Sequence, residues 1–279
     1  MTGLAGGRTP RARPQRTPAS AILLFDLDET LVAEERVTVA AFAATAQFAA
    51  SRHDLDHGAL AVAARARARE LWRAGPYHSY CLRVGISSWE GLWCRFRGDD
   101  PHIAALREWS PAYRRDAWSL ALAEQGIHDP PLAEELGERF GAERRARHET
   151  FADVAAVLTE LGATHTLALV TNGASCLQRE KLAASGLAEC FPVVVVSADL
   201  GVGKPDATVF RRALAQLDGD PRRAVMIGDS VSRDIRGALG AGLGAVWVNR
   251  SGDARADDHP DVPEIATLTD LPVTLAAMA

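Results

Sequence analysis

At 279 residues, 47% of them hydrophobic and 24% charged, the chain has the make-up of an ordinary soluble globular protein of about two domains, able to bury a sizeable core. Its net charge of -5 argues against a nucleic-acid backbone as the main partner, yet is compatible with a small anion held at a local positive site. No run approaches the roughly 18 apolar residues of a membrane span, the N-terminus lacks the apolar stretch of a secretory signal, and Cys81, Cys94, Cys176 and Cys190 are spaced as neither a zinc site nor a redox pair, so the expectation is a cytoplasmic protein with free thiols and no membrane or nucleic-acid partner.

Residues 1–19 are rich in Gly, Pro, Thr and Arg, with Arg8, Arg11, Arg13 and Arg16 among residues that support neither helical nor strand periodicity; they read as a disordered tail. The first regular element is Ile22-Leu23-Leu24-Phe25. Four consecutive apolar residues are too few for a buried helix but suit a central parallel strand covered on both faces. Asp26 is then the first residue past the strand's carboxyl end, where open α/β sheets put their chemistry, and Asp28 and Thr30 follow it. Two carboxylates one residue apart can divide attack or metal binding from proton handling. They can equally be turn chemistry, since Asp caps helices and forms Asx turns.

From 33 to 148 the apolar spacing is helical, with no convincing strand, so an all-helical domain is expected after the first strand. Stop signals place its helices at about 36–52, 56–74, 88–97, 101–125 and 130–147. Ser87 followed by Glu90 is a capping-box pattern that opens the third. Arg65, Arg67 and Arg69 alternate with alanine and read as a solvated face. Trp72, Trp89, Trp93, Trp109 and Trp118, five of the six tryptophans, are expected to fill the interior of this domain. The stretch from Gly75 to Ser87 reads as a non-helical linker that gathers Tyr77, His78, Tyr80 and Arg83, which makes Tyr80 and Arg83 candidate substrate contacts. His53 and His57 stand one helical turn apart without a third ligand and read as an exposed helix junction rather than a metal pair.

From 149 the pattern turns α/β: helices at 151–162, 174–184, 206–217 and 232–240 alternate with strands at 166–170, 192–197, 224–227 and 245–248, and a short strand or helix closes the chain within 264–279. Such alternation implies right-handed crossovers and a parallel sheet with helices on both faces, a Rossmann-like core formed by 20–32 and 149–279 around the helical domain of 33–148. Polar residues collect at the strand ends: Asp26 and Asp28, Thr171 and Asn172, Asp229.

These strand-end residues, with Gly203-Lys204-Pro205, resemble the four motifs of the haloacid dehalogenase superfamily: Asp26-Leu27-Asp28-Glu29-Thr30, Thr171-Asn172-Gly173, Lys204 before Pro205, and Gly228-Asp229 followed by Asp234. The resemblance runs from about 21 to 250, and the helical insertion resembles the cap of the subclass with an α-helical cap. It implies that Asp26 is a nucleophile forming an aspartyl-phosphate and that Asp28 is the general acid and base. Thr171, Asn172 and Gly173 would bind the phosphoryl group, and Lys204 would neutralise its charge. Mg²⁺ would be held by Asp26, the Asp28 carbonyl and Asp229, with Asp234 as a further ligand or orienting its waters. Dehalogenases of the family lack an acid two residues after the nucleophile and phosphonate-cleaving members use a cap lysine, so Asp28 and a lysine-free insertion imply phosphomonoester hydrolysis. A phosphomutase and a catalytically silent ligand-binding member stay open as alternatives. A closing cap implies a small phosphorylated metabolite such as a sugar phosphate or nucleoside monophosphate as substrate, on a monomer or homodimer. Composition singles out one position further: of 31 basic residues only Lys181 and Lys204 are lysines. Lys204 therefore reads as a place where Arg will not do, while Lys181, on its helix, reads as a solvated residue kept by chance.

Overall fold

The computed structural model describes residues 21–253 and 259–278, so the tail expected at 1–19 lies outside the described residues. Strand β1 (Ile22–Phe25) is central, with β2 (Thr166–Thr171) on one side and β4 (Ala224–Gly228) on the other. Beyond these lie β3 (Val193–Val196), β5 (Gly244–Val248) and the short β6 (Glu264–Ile265), in the order β3-β2-β1-β4-β5-β6, and every pairing is parallel. The all-apolar run of β1 is explained by its two faces. Leu23 and Phe25 pack against α7 (Val154–Gly162), whereas Ile22 and Leu24 face α9 (Ala207–Gln216) and α10 (Arg236–Gly240). Helix α8 (Ser175–Ala184) follows β2, and α11 (Leu271–Met278) closes the described chain. The tail expected as one strand or helix thus forms both β6 and α11.

Between β1 and β2 lie α1 (Glu34–Ala50), α2 (His57–Ala74), α3 (His78–Val84), α4 (Ser88–Gly91), α5 (Pro101–Ala123) and α6 (Pro130–Arg145). Their starts are written in side chains that satisfy the free amides of a first helical turn. Asp56 accepts from Gly58 and Ala59, Asp100 from His102 and Ile103, and Asp129 from Leu132, with Pro101 and Pro130 at the first helical position of α5 and α6. His53 bonds Asp129 at 2.9 Å, as befits a helix junction. The helices bury a core of their own, around Phe42, Trp72, Trp93, Trp118 and Phe140, which Ala174 and Leu177 at the start of α8 join from below. No helix among the described residues is long and apolar enough to cross a membrane.

Two expectations fail here. The stretch after Gly75 is not a loop: α3 occupies it, ending at Gly85, whose φ of 79° is a left-handed helix stop that suits glycine. The helix expected over 88–97 ends at Gly91, and the chain continues in non-helical form through the buried Leu92, Trp93, Cys94 and Phe96. The carbonyls this leaves unpaired are met by arginines: Arg114 donates to Gly91 and Cys94, and Arg145 to Trp93.

Candidate active site

All the polar strand ends open on one cavity of about 460 Å³ between the sheet edge and the inserted helices. Asp26, 7% exposed, continues β1, its amide still donating to Ile227 at 2.9 Å. The chain then turns sharply: Leu31 and Val32 both donate to the Leu27 carbonyl, and Glu29 adopts a φ of 59°. That turn brings Asp28 to the same cavity as Asp26. Both acids are thus presented to a common space by a strand end and a tight turn, the arrangement their spacing suggested.

Lys204, 5% exposed, lies between two carboxylates, its ammonium 2.5 Å from Asp26 Oδ1 and 2.7 Å from Asp234 Oδ1. Burial disfavours its charge, but Asp234 and Asp26 outweigh that and hold its pKa above the ordinary lysine value, so it stays a cation. Asn172 fixes its backbone from both sides, accepting from the Lys204 amide at 2.8 Å and donating to its carbonyl at 3.0 Å. Asp234 is aimed inward by a π-helical turn over Val231–Ile235, in place of the regular helix start expected at 232, and accepts from the Ser230 amide at 3.0 Å. Gly228 makes room for it, since a Cβ there would meet the Asp234 carboxylate at 2.4 Å.

Asp26, Asp229 and Asp234 bring carboxylate oxygens within 4.8 Å of one another. Burial, then Asp26 and Asp234, push the Asp229 carboxyl up to about 9, against the pull of Lys204; burial likewise raises Asp234 to about 6. Three acids facing one ammonium in a buried space leave an excess of negative charge. An all-oxygen donor set with that excess fits a hard divalent cation.

The neighbour of Asp28 is the surprise. Lys181, read from sequence as a solvated helix residue, is 1% exposed, and its ammonium contacts both Asp28 oxygens at 3.1 and 3.0 Å, Glu90 at 2.9 Å and Glu34 at 3.4 Å. Asp28, Glu34 and Glu90 hold its pKa above the ordinary lysine value although burial opposes this. Asp28 itself is pushed up to about 7, by burial first and then by Glu34, Glu90 and Asp26, against Lys181. Gln178, one turn earlier on α8, donates to Glu90 at 2.6 Å and Asp28 at 3.3 Å and accepts from Thr171 at 3.2 Å.

Of the expected phosphoryl-binding residues, Thr171 and Asn172 line the cavity; Gly173 does not, and its amide is used by Ser197 Oγ at 2.8 Å and the Val84 carbonyl at 3.1 Å. Tyr80 and Arg83 also lie off the cavity wall. Tyr80 is buried, its ring stacked on His102 at 4.3 Å, and Arg83 donates to the Gly201 carbonyl at 2.9 Å. Backbone bonds reinforce that seam, Gly203 donating to the Arg83 carbonyl at 3.0 Å, so the stretch joins the insertion to the core. Trp89, expected in the core, is half-buried and lines the cavity beside Ser87, Glu35 and Glu29. Sequence reasoning missed it because aromatic spacing on so short a helix does not tell an inner face from a cavity wall. The four cysteines are free, and Cys94 and Cys176 approach to 3.7 Å across the seam, a proximity their spacing in sequence concealed.

Comparison with known proteins adds to this geometry. The model of the haloacid dehalogenase-like hydrolase family matches residues 21–242. The phosphoserine phosphatase of Thermus thermophilus is 37% identical over 249 residues, 88% of this chain and 94% of that protein. The N-acylneuraminate-9-phosphatase of Rattus norvegicus is 34% identical over 170 residues, 59% of this chain and 68% of its own length. A magnesium-bound hydrolase of this type from Bacillus subtilis superposes with a TM-score of 0.63 at 22% identity, covering 92% of this chain and 99% of that one, a likeness of fold.

Proposed function

The chain belongs to the haloacid dehalogenase-like hydrolases, and from that membership we propose that it hydrolyses a small phosphomonoester with Mg²⁺ through an aspartyl-phosphate on Asp26. It is a phosphatase, a hydrolase of phosphoric monoesters. The observation that carries the mechanism is the meeting of Asp26 and Asp28 in one cavity, the first held by Lys204 and facing Asp229 and Asp234.

An Asp26 oxygen attacks phosphorus, and the bond to the leaving oxygen breaks as Asp28 gives that oxygen its proton. With its carboxyl pushed up to about 7, Asp28 is protonated in a substantial fraction of molecules near neutral pH and can do this. The free alcohol departs. The ionised Asp28 then takes a proton from water as the water's oxygen attacks phosphorus, releasing phosphate and restoring both acids. Lys204 places positive charge beside the Asp26 oxygen and the phosphoryl oxygens, and Thr171 and Asn172 form the cavity wall they would face. Asp26, the Asp28 carbonyl, Asp229 and Asp234 are the groups that would hold Mg²⁺, which supplies charge to the transferring phosphoryl group.

The inserted helices serve as a cap over this cavity, and a space of about 460 Å³ suits a small metabolite rather than a phosphoprotein. Phosphoserine, the substrate named for the Thermus thermophilus relative, joins sugar phosphates and nucleoside monophosphates as a candidate. Four free thiols fit a reducing compartment such as the cytoplasm. Phosphate release over a panel of these compounds tests the reading. Turnover should require Mg²⁺, stop on chelation and be inhibited by Ca²⁺, which prefers more ligands and looser geometry. Full turnover after exhaustive chelation, or no release from any phosphomonoester, would contradict it.

A further inference from the structure

The proton-handling acid is held by side chains that none of the strand ends supplies. Lys181 and Gln178 lie on one face of α8, a turn apart, and both reach Asp28. Both also reach Glu90, at 2.9 and 2.6 Å, and Glu90 comes from α4 in the inserted helices. Its other oxygen closes the capping box on Ser87, with the amide at 2.9 Å and the hydroxyl at 3.0 Å. Glu90 therefore fastens the start of α4 to the same two side chains that hold Asp28. Glu34, from α1, completes the group and is itself paired with Arg144.

Stability does not account for this cluster. Burying several charges costs more than their attraction returns unless the geometry is excellent, and apolar residues of similar volume often do as well or better. Lys204 shows how far a single buried lysine can serve the core site using core acids alone. Lys181 instead takes one acid from the reaction and two from the insertion.

We propose that Lys181 and Gln178 are positioning residues that fix the Asp28 carboxyl toward the leaving group, and that Glu90 makes this placement depend on α4 being seated on the core. The inference rests on Asp28 being the proton donor of the phosphatase reaction. A fixed Asp28 matters most when the leaving oxygen needs a proton, and least when it departs as a stable anion.

The test is kcat/KM on two substrates, 4-nitrophenyl phosphate and the alkyl phosphomonoester that the wild-type enzyme turns over fastest. Asp28→Asn is the control and should lose far more on the alkyl ester. Lys181→Met should lose at least about tenfold on the alkyl ester and no more than about threefold on the aryl ester. Glu90→Gln, which keeps the shape and should keep the fold even where the loss of a buried cation unfolds Lys181→Met, should show the same bias at smaller size. Glu90→Gln added to Lys181→Met should cost nothing further, because both act through one placement. Equal losses on the two substrates in Lys181→Met and Glu90→Gln, with the control still biased, overturn the positioning role and leave the phosphatase reading standing. An unbiased Asp28→Asn overturns both the acid role of Asp28 and the positioning role that rests on it.

Discussion

Each acid of the Asp26-x-Asp28 pair has its own buried lysine, and the two surroundings differ in where they come from. Lys204 is met by Asp26 and Asp234, both at core strand ends or the turn that follows, and Asn172 of the core clamps its backbone. Lys181 is met by Asp28 of the core but also by Glu34 and Glu90 of the inserted helices. The surroundings of Asp26, the proposed nucleophile, are complete without the insertion, whereas those of Asp28, the proposed proton donor, are finished by it. The contrast teaches that one sheet edge can carry a half built by the core alone, which on the proposed reading binds phosphoryl and metal, and a half that the inserted helices complete.

The sharpest way to break this division is at Asp26, the proposed nucleophile. Asp26→Asn should lower turnover at least about a thousandfold, roughly 4 kcal/mol of transition-state stabilisation, on alkyl and aryl phosphates alike, while the folded protein keeps its circular dichroism. Near wild-type release would mean another nucleophile. On the same side Lys204→Arg should cost at least about tenfold in turnover without changing the melting temperature. The guanidinium carries the charge but cannot sit as a compact ammonium 2.5 Å from Asp26 and 2.7 Å from Asp234. Unchanged kinetics in that variant would refute the geometric argument.

A smaller effect separates the metal from the acids it would join. Without metal, burial raises Asp234 to about 6, Asp28 to about 7 and Asp229 to about 9, all from 3.8. Acids whose pKa is raised by folding bind more protons in the native than in the unfolded chain between 3.8 and their raised values, so their contribution to stability is lost progressively as pH climbs, that of Asp234 by about 6 and that of Asp229 last, by about 9. Lys181 and Lys204, held above 10.5, contribute the same across that window. Thermal melts in chelator should therefore fall from pH 6 to pH 9, and Mg²⁺ should raise the melting temperature more at pH 9 than at pH 6. An identical pH slope with and without Mg²⁺ would remove these acids from the metal site. The smallest effect is expected at the seam, where Arg83→Ala should cost activity modestly and equally on every substrate, because its side chain bonds Gly201 and does not line the cavity. A rise in Michaelis constant confined to one substrate would return Arg83 to the binding site.

The same contrast explains what was legible in the sequence. The sheet and the Lys204 half could be read because each strand ends in its own polar residue within one contiguous stretch, and alternating strands and helices force those ends to one edge. The Lys181 half is assembled from α1, α4, α8 and the turn after β1, and no local spacing links Glu34, Glu90 and Lys181. A signal is nevertheless present: in a chain with two lysines among 31 basic residues, the rarity that singles out Lys204 singles out Lys181 equally. Capping boxes are local, so Ser87 and Glu90 were legible, but the second duty of the Glu90 carboxylate was not. Polar aromatics in a presumed loop misled at Tyr80, since α3 turns that ring into the interior.

The most direct test of the account is to find the covalent intermediate. Acid quenching of the enzyme during Mg²⁺-supported turnover of a phosphomonoester, followed by peptide mapping in a mass spectrometer, should place a phosphoryl group on Asp26, and Asp26→Asn should yield none. A phosphoryl group on any other residue, or the same adduct from Asp26→Asn, would contradict it.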